Sequence, residues 1–173
     1  MIKEYIERLK DNRGYSINTI KNYTRTINLF DRYLKSITFK KWGADNCENI
    51  KIHHVETFIQ KQRLQNKDAL TCNNYLACIK CYLHFCLLCD KDVLNYTKLT
   101  FARVQKKKID SSTDDDIQKL FNYFRNQEPD DKFGEMVKYR NLVIMQLLIY
   151  TGLRVSELSN IKISDIGEDL QII

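Results

Sequence analysis

One proline and five glycines are all the backbone punctuation in this 173-residue chain. So few breakers, among many Leu, Ile, Lys, Asn and Tyr, leave long stretches free to be helical and point to a mainly α protein. No run of about 18 apolar residues occurs, which excludes a membrane-spanning helix. The opening MIKEYIERLK is amphipathic and charged, unlike a signal peptide, so the expected location is the cytoplasm. Acidic residues are scarce in the first part of the chain. Residues 1–110 hold 21 Lys+Arg against 11 Asp+Glu and residues 111–173 hold 7 against 11, so +10 and −4 make up the formal charge of +6. A basic segment attracts polyanions over a Debye length of about 10 Å, and for a helical protein without a membrane segment DNA or RNA is the partner expected before an anionic membrane.

The length suits one domain plus part of a second. Six cysteines without a secretory signal are expected to stay reduced. Four of them form Cys78-x2-Cys81-x4-Cys86-x2-Cys89, a spacing that superficially suits zinc. The segment is continuous and helix-patterned, however, and lacks the knuckle turns that fold two Cys pairs around one tetrahedral ion. At about 100° per residue, Cys72 and Cys86 share the apolar face of Tyr75, Ile79, Tyr82 and Leu83, while Cys81 points away. Small core residues are therefore expected, with no metal and no other cofactor.

Ile2, Tyr5, Ile6 and Leu9 recur at helical spacing, and Asn12-Arg13-Gly14 supplies a stop. Ser16 or Asn18 can cap a second helix whose apolar stripe is Ile20, Tyr23, Ile27, Phe30 and Leu34. Its opposite face carries Lys21, Arg25, Asn28 and Arg32, which reads either as a solvated surface or as a polyanion contact. A third helix follows with Val55, Phe58 and Ile59 inward, and a fourth is expected from an N-cap at Thr71 to about Cys89, with Lys80 and His84 on its polar side. Four helices joined by short loops make a compact bundle.

Residues 98–112 lose the helical period and carry Arg103, Lys106, Lys107 and Lys108, which reads as a basic linker able to lie along phosphates. Thr113 before Asp114, Asp115 and Asp116 starts the next unit, with Ile117, Leu120, Phe121 and Phe124 as its buried face. A core helix is expected from Val137 to Tyr150, ended by Gly152, with a short helix from Val155 to Asn160 and a strand beginning at Leu170.

Arg154 directly follows the glycine turn, and Glu157 shares its face three residues on. A guanidinium can grip two phosphate oxygens while a neighbouring carboxylate holds its fork in place. The same spacing also describes an ordinary helix salt bridge.

The run from Tyr139-Arg140-Asn141-Leu142 to Tyr150-Thr151-Gly152-Leu153-Arg154-Val155-Ser156-Glu157-Leu158, then Ile161-Lys162-Ile163-Ser164-Asp165-Ile166, closely resembles the start of the catalytic domain of tyrosine recombinases, the family of phage integrases and Xer-type recombinases. Ser16-Ile17-Asn18-Thr19-Ile20-Lys21-Asn22-Tyr23 and Thr71-Cys72-Asn73-Asn74-Tyr75-Leu76 look like its helical, SAM-like core-binding domain.

The resemblance implies a core-binding domain over 1–97, a linker over 98–112 and the first helices of a catalytic domain over 113–173. It implies duplex DNA as partner and a parent protein acting as a tetramer on synapsed DNA. Arg154 matches the first catalytic arginine, and Glu157 the acidic residue supporting it. Expected DNA contacts are Lys21, Arg25, Asn28, Arg32, Asn73, Lys80, Lys106, Lys107 and Lys108. In such recombinases a tyrosine attacks the scissile phosphate, helped by a second arginine, a lysine and His or Trp donors, and no metal takes part. After Glu157 the sequence has no Arg, His or Tyr, and Lys162 precedes the hairpin that would carry the lysine. This stretch is thus expected to be part of a longer recombinase, to be inactive by itself, and to self-associate through uncovered core. The alternative is a non-enzymatic helical DNA-binding regulator or a natural remnant of such an enzyme.

Overall fold

The computed structural model describes residues 1–11, 14–105 and 111–165. The described residues form seven α-helices and three short 3-10 turns, with no strand among them. The chain divides into two compact units, Met1–Lys106 and Lys107–Ile173.

The first unit contains α1 (Ile2–Asp11), α2 (Ile17–Ile37), α3 (Ile52–Leu64) and α4 (Ala69–Leu88). Ser16 begins α2, its Oγ accepting from the Thr19 N–H at 3.2 Å. The cap of α4 is Asp68, not Thr71: its carboxylate accepts from the Thr71 N–H at 2.7 Å, which draws Ala69 and Leu70 into the first turn. Packed against both α2 and α3, α4 is the central element. It buries Cys72, Leu76, Cys78, Ile79, Tyr82, Leu83, Phe85 and Cys86. From α2 come Ile27, Phe30 and Leu34, from α3 Val55 and Phe58, and from α1 Tyr5 and Leu9. Phe30 meets Phe58 edge-on at 5.2 Å, and Tyr5 meets Tyr82 in the same way at the same distance. Each fully buried ring or branched chain contributes about 1.5–3 kcal/mol.

The loop after α2 is braced from below. Asp31, buried on α2, accepts from the Ala44 N–H at 2.8 Å and pairs with Lys35 Nζ at 2.7 Å. Tyr82 donates its hydroxyl to the Ala44 carbonyl at 2.8 Å. Gly43 lies so close that a Cβ there would stand 2.2 Å from Asp31 Oδ1, which explains the glycine.

The expected linker does not begin at residue 98. Leu99 is buried in the core of the first unit and Ala102 is hydrogen-bonded to α4, so the chain stays attached beyond the 3-10 turn at Tyr96–Lys98. Lys106, Lys107 and Lys108 lie outside the described residues, as do Asn12, Arg13 and the strand expected from Leu170.

In the second unit, α5 (Asp114–Arg125) opens with Thr113 and Asp116 capping each other: Thr113 Oγ1 accepts from the Asp116 N–H at 3.2 Å, and Asp116 accepts from the Thr113 N–H at 3.0 Å. Of the expected inward residues Phe121 is buried, Ile117 and Phe124 are half-buried, and Leu120 faces out. α6 (Lys132–Thr151) starts five residues before Val137 because the Asp131 carboxylate accepts from the Gly134 N–H at 2.7 Å. Nor is it a covered core helix, since none of its side chains is buried. Its partners are α5 and the four-residue α7 (Val155–Leu158), which together are too short to cover a 20-residue helix on all sides.

Candidate functional site

Lys21, Arg25, Asn28 and Arg32 recur every three or four residues along α2, and all four are exposed on the face opposite Ile27, Phe30 and Leu34. Arg32 Nε lies 3.4 Å from the Asn28 carbonyl, which lays its guanidinium along the helix. Among the described residues no carboxylate pairs with Lys21, Arg25 or Arg32, whereas Lys35 nearby is held by Asp31, which raises its pKa above the ordinary lysine value. The face therefore presents cations that no described carboxylate pairs with.

Asn73 and Lys80 on α4 are placed differently. The Asn73 amide pairs with one residue's backbone in both directions, donating to the Ala102 carbonyl and accepting from the Ala102 N–H, each at 2.8 Å. Lys80 Nζ donates to the Leu99 carbonyl at 2.9 Å and stands 5.0 Å from the centre of the Phe101 ring. Both side chains fasten residues 99–102 to α4. That task takes one N–H of the Asn73 amide nitrogen and one of the three on the Lys80 ammonium. The pairing was hidden from the sequence because its partner is backbone 29 residues away.

The cysteines resolve as core and edge. Cys47, Cys72, Cys78 and Cys86 are buried, and Cys81 and Cys89 are half-buried. No group of three or more His, Cys, Asp or Glu side chains among the described residues is disposed to hold a metal ion. His54 has a local task at the start of α3, accepting from the Lys51 N–H through Nδ1 at 3.0 Å.

In the second unit, α6 ends where Gly152 takes a left-handed φ of 68° and returns its N–H to the Leu148 carbonyl at 3.2 Å. Two residues later Arg154 occupies the N-cap of α7 in extended conformation. Glu157 folds back onto it: one carboxylate oxygen accepts from the Arg154 N–H at 2.7 Å, the other from Nη1 at 2.8 Å. These two bonds, backbone first, hold the Glu157 carboxyl below the usual glutamate value. The Arg154 side chain remains 81% exposed, with guanidinium donors left over. The carboxylate thus fixes the fork and leaves its outer edge open to an anion. Ser156 touches neither group, its carbonyl instead accepting from Ser159 and Asn160.

Sequence reasoning passed over the turn Thr38-Phe39-Lys40-Lys41-Trp42 at the end of α2. It carries an aromatic side chain that is 88% exposed, beside two exposed lysines. The available signal was an apolar ring off the helical stripe, followed by two cations and a glycine.

A family model described as phage integrase, N-terminal SAM-like domain, matches residues 2–88, which includes the whole of α1 to α4. Tyrosine recombinase XerD of Oceanobacillus iheyensis is 25% identical over 167 residues, covering 95% of this chain and 52% of that protein. Tyrosine recombinases XerC of Staphylococcus epidermidis and of Bacillus pumilus are 25% and 26% identical, each over 96% of this chain and 52% and 51% of theirs. The chain spans about half the length of the curated relatives it matches.

Proposed function

The chain belongs to the phage integrase family of tyrosine recombinases through its N-terminal SAM-like domain, and from that membership we propose that it grips duplex DNA for site-specific recombination. The observation that carries this is the unpaired cationic face of α2 on the family-matched domain. Lys21, Arg25 and Arg32 hold phosphates there, and Asn28 and the arginines are the side chains able to read base edges. Lys106, Lys107 and Lys108, in the basic stretch of the sequence, add phosphate contacts.

Arg154 takes the part of the family's first catalytic arginine. Its open edge would neutralise non-bridging oxygens as charge builds on the scissile phosphate, and Glu157 positions it. All ten tyrosines precede Arg154, whereas the family's nucleophile follows its arginines. Within this sequence the roles are therefore DNA binding and one phosphate contact. Incubation with a suicide duplex should yield no covalent protein–DNA adduct.

Equilibrium binding to labelled duplex across a salt series tests the α2 face. Log affinity should fall linearly with log salt, and Lys21→Ala, Arg25→Ala and Arg32→Ala should each reduce that slope by about 1. Wild-type binding without salt dependence, or slopes indifferent to all three substitutions, would overturn the proposal.

A further inference from the structure

Phe39 occupies a position that the backbone reserves for glycine. α2 closes with the Thr38 N–H on the Leu34 carbonyl at 3.0 Å and the Lys40 N–H on the Lys35 carbonyl at 2.8 Å. That six-residue closure needs a left-handed residue at Phe39, whose φ is 50°, and Lys40 follows at 62°. A bulky L residue is disfavoured there. Packing of the ring does not offset this, because it is 88% exposed, more than any other Phe, Tyr or Trp among the described residues. A side chain that is strained by its backbone and packs on nothing is suited to something outside the chain.

Its neighbours say what that is. Lys40 and Lys41, the next two residues, are exposed, and a shallow concavity that Lys40 shares is lined by Arg32, Lys35 and Ser36, with no carboxylate. Asp31, which pairs with Lys35, is also engaged by the Ala44 N–H. Arg32 belongs to both the concavity and the α2 face, so the two surfaces are continuous. The tip is also rigid. Thr38 Oγ1 lies 2.7 Å from the Trp42 carbonyl, the Lys41 N–H returns to the Thr38 carbonyl at 3.0 Å, and Asp31 and Tyr82 anchor Ala44 behind them.

The geometry points to Phe39 as an apolar wedge that stacks on a base at a locally unstacked step of bound DNA, while Arg32, Lys40 and Lys41 hold the flanking phosphates. A polyanion that also offers flat apolar faces fits an exposed aromatic ring followed directly by two exposed cations. An acidic protein surface would satisfy the lysines and leave the ring unused. The wedge rests on the nucleic-acid role proposed for the α2 face, and adds to it a contact with bases and a means of deforming the duplex.

The test uses the full chain, a labelled duplex, and a second duplex carrying a fluorescent adenine analogue at successive steps. Phe39→Gly removes the ring and relieves the left-handed backbone, so it should fold with an undiminished thermal midpoint. It should weaken binding about 5- to 100-fold, leave the salt slope unchanged and abolish the analogue's response at one step. Phe39→Trp should restore both affinity and response. If wild type and Phe39→Gly bind with equal affinity and equal salt slope, the wedge falls while the α2 face stands. If wild type shows no salt-dependent DNA binding, both fall. Should Phe39→Gly instead disperse a self-associated form, or lose binding to anionic phosphatidylserine vesicles, with DNA affinity intact, the ring contacts protein or lipid and the wedge is overturned.

Discussion

Gly43 shows how one missing carbon sets the position of a whole loop. With Asp31 Oδ1 2.2 Å from where its Cβ would be, Gly43→Ala must displace the carboxylate from the Ala44 N–H. The substitution is expected to cost about 1–3 kcal/mol, as overpacking usually does. A lowered denaturant midpoint with unchanged m-value would register it, and an unaltered midpoint would mean that the loop gives way freely. At this scale the sequence was legible where partners are close in the chain. Arg154 and Glu157, three residues apart, could be read as a pair, and so could Thr113 with Asp116. It was opaque where a side chain meets distant backbone, as Asn73 meets Ala102 and Tyr82 meets Ala44. No local pattern encodes such a partner.

Among the helices, α3 carries a condition on its own start. The cap requires an unprotonated Nδ1 on His54 to accept from the Lys51 N–H. Burial first, then His53 and Lys51, lower the His54 pKa below its ordinary 6.5. With the folded value depressed, the unfolded chain binds more protons in that window. The stabilisation is present above about 6.5 and lost as pH falls through the folded value. Protection of the Lys51 amide from hydrogen exchange, relative to its intrinsic rate, should therefore fall on mild acidification, and His54→Gln, which keeps an acceptor, should remove that pH dependence. A flat profile in the native chain would deny the cap that role. Apolar periodicity revealed α2 and α5 because each has one wet face. The starts of α4 and α6 were misplaced because the caps, Asp68 and Asp131, precede first turns whose apolar side chains, Leu70, Phe133 and Met136, lie exposed rather than on a buried stripe. Thr71 looked like a start because its hydroxyl could cap a helix, and Val137 because a strongly apolar run follows it.

For the molecule as a whole, the two units differ in how completely they cover themselves. The first encloses Phe30, Phe58, Tyr82 and their neighbours, while Phe121 is the sole buried side chain among the helices of the second. Phe133, Met136, Tyr139 and Val143 stand exposed on consecutive turns of α6. Self-association through this face is expected, with a light-scattering mass that rises with concentration and drops on Met136→Glu or Val143→Glu. A strictly monomeric wild type would contradict it. The switch from +10 to −4 at residue 110 falls close to the boundary between the two units at Lys106. That division was readable from charge alone. The uncovered side of α6 was harder to assign, since a strongly apolar helix reads as buried whether or not its cover is present.

The thiols of α4 give the first unit a clock. Burial pushes the Cys78 pKa up to about 11 and raises that of Cys86 as well, so at neutral pH both are almost wholly protonated and shielded from electrophiles. Alkylation at either position can proceed only as often as α4 separates from α2 and α3. Its rate is then a direct count of how frequently the four-helix bundle opens, recorded by its own buried sulfur atoms.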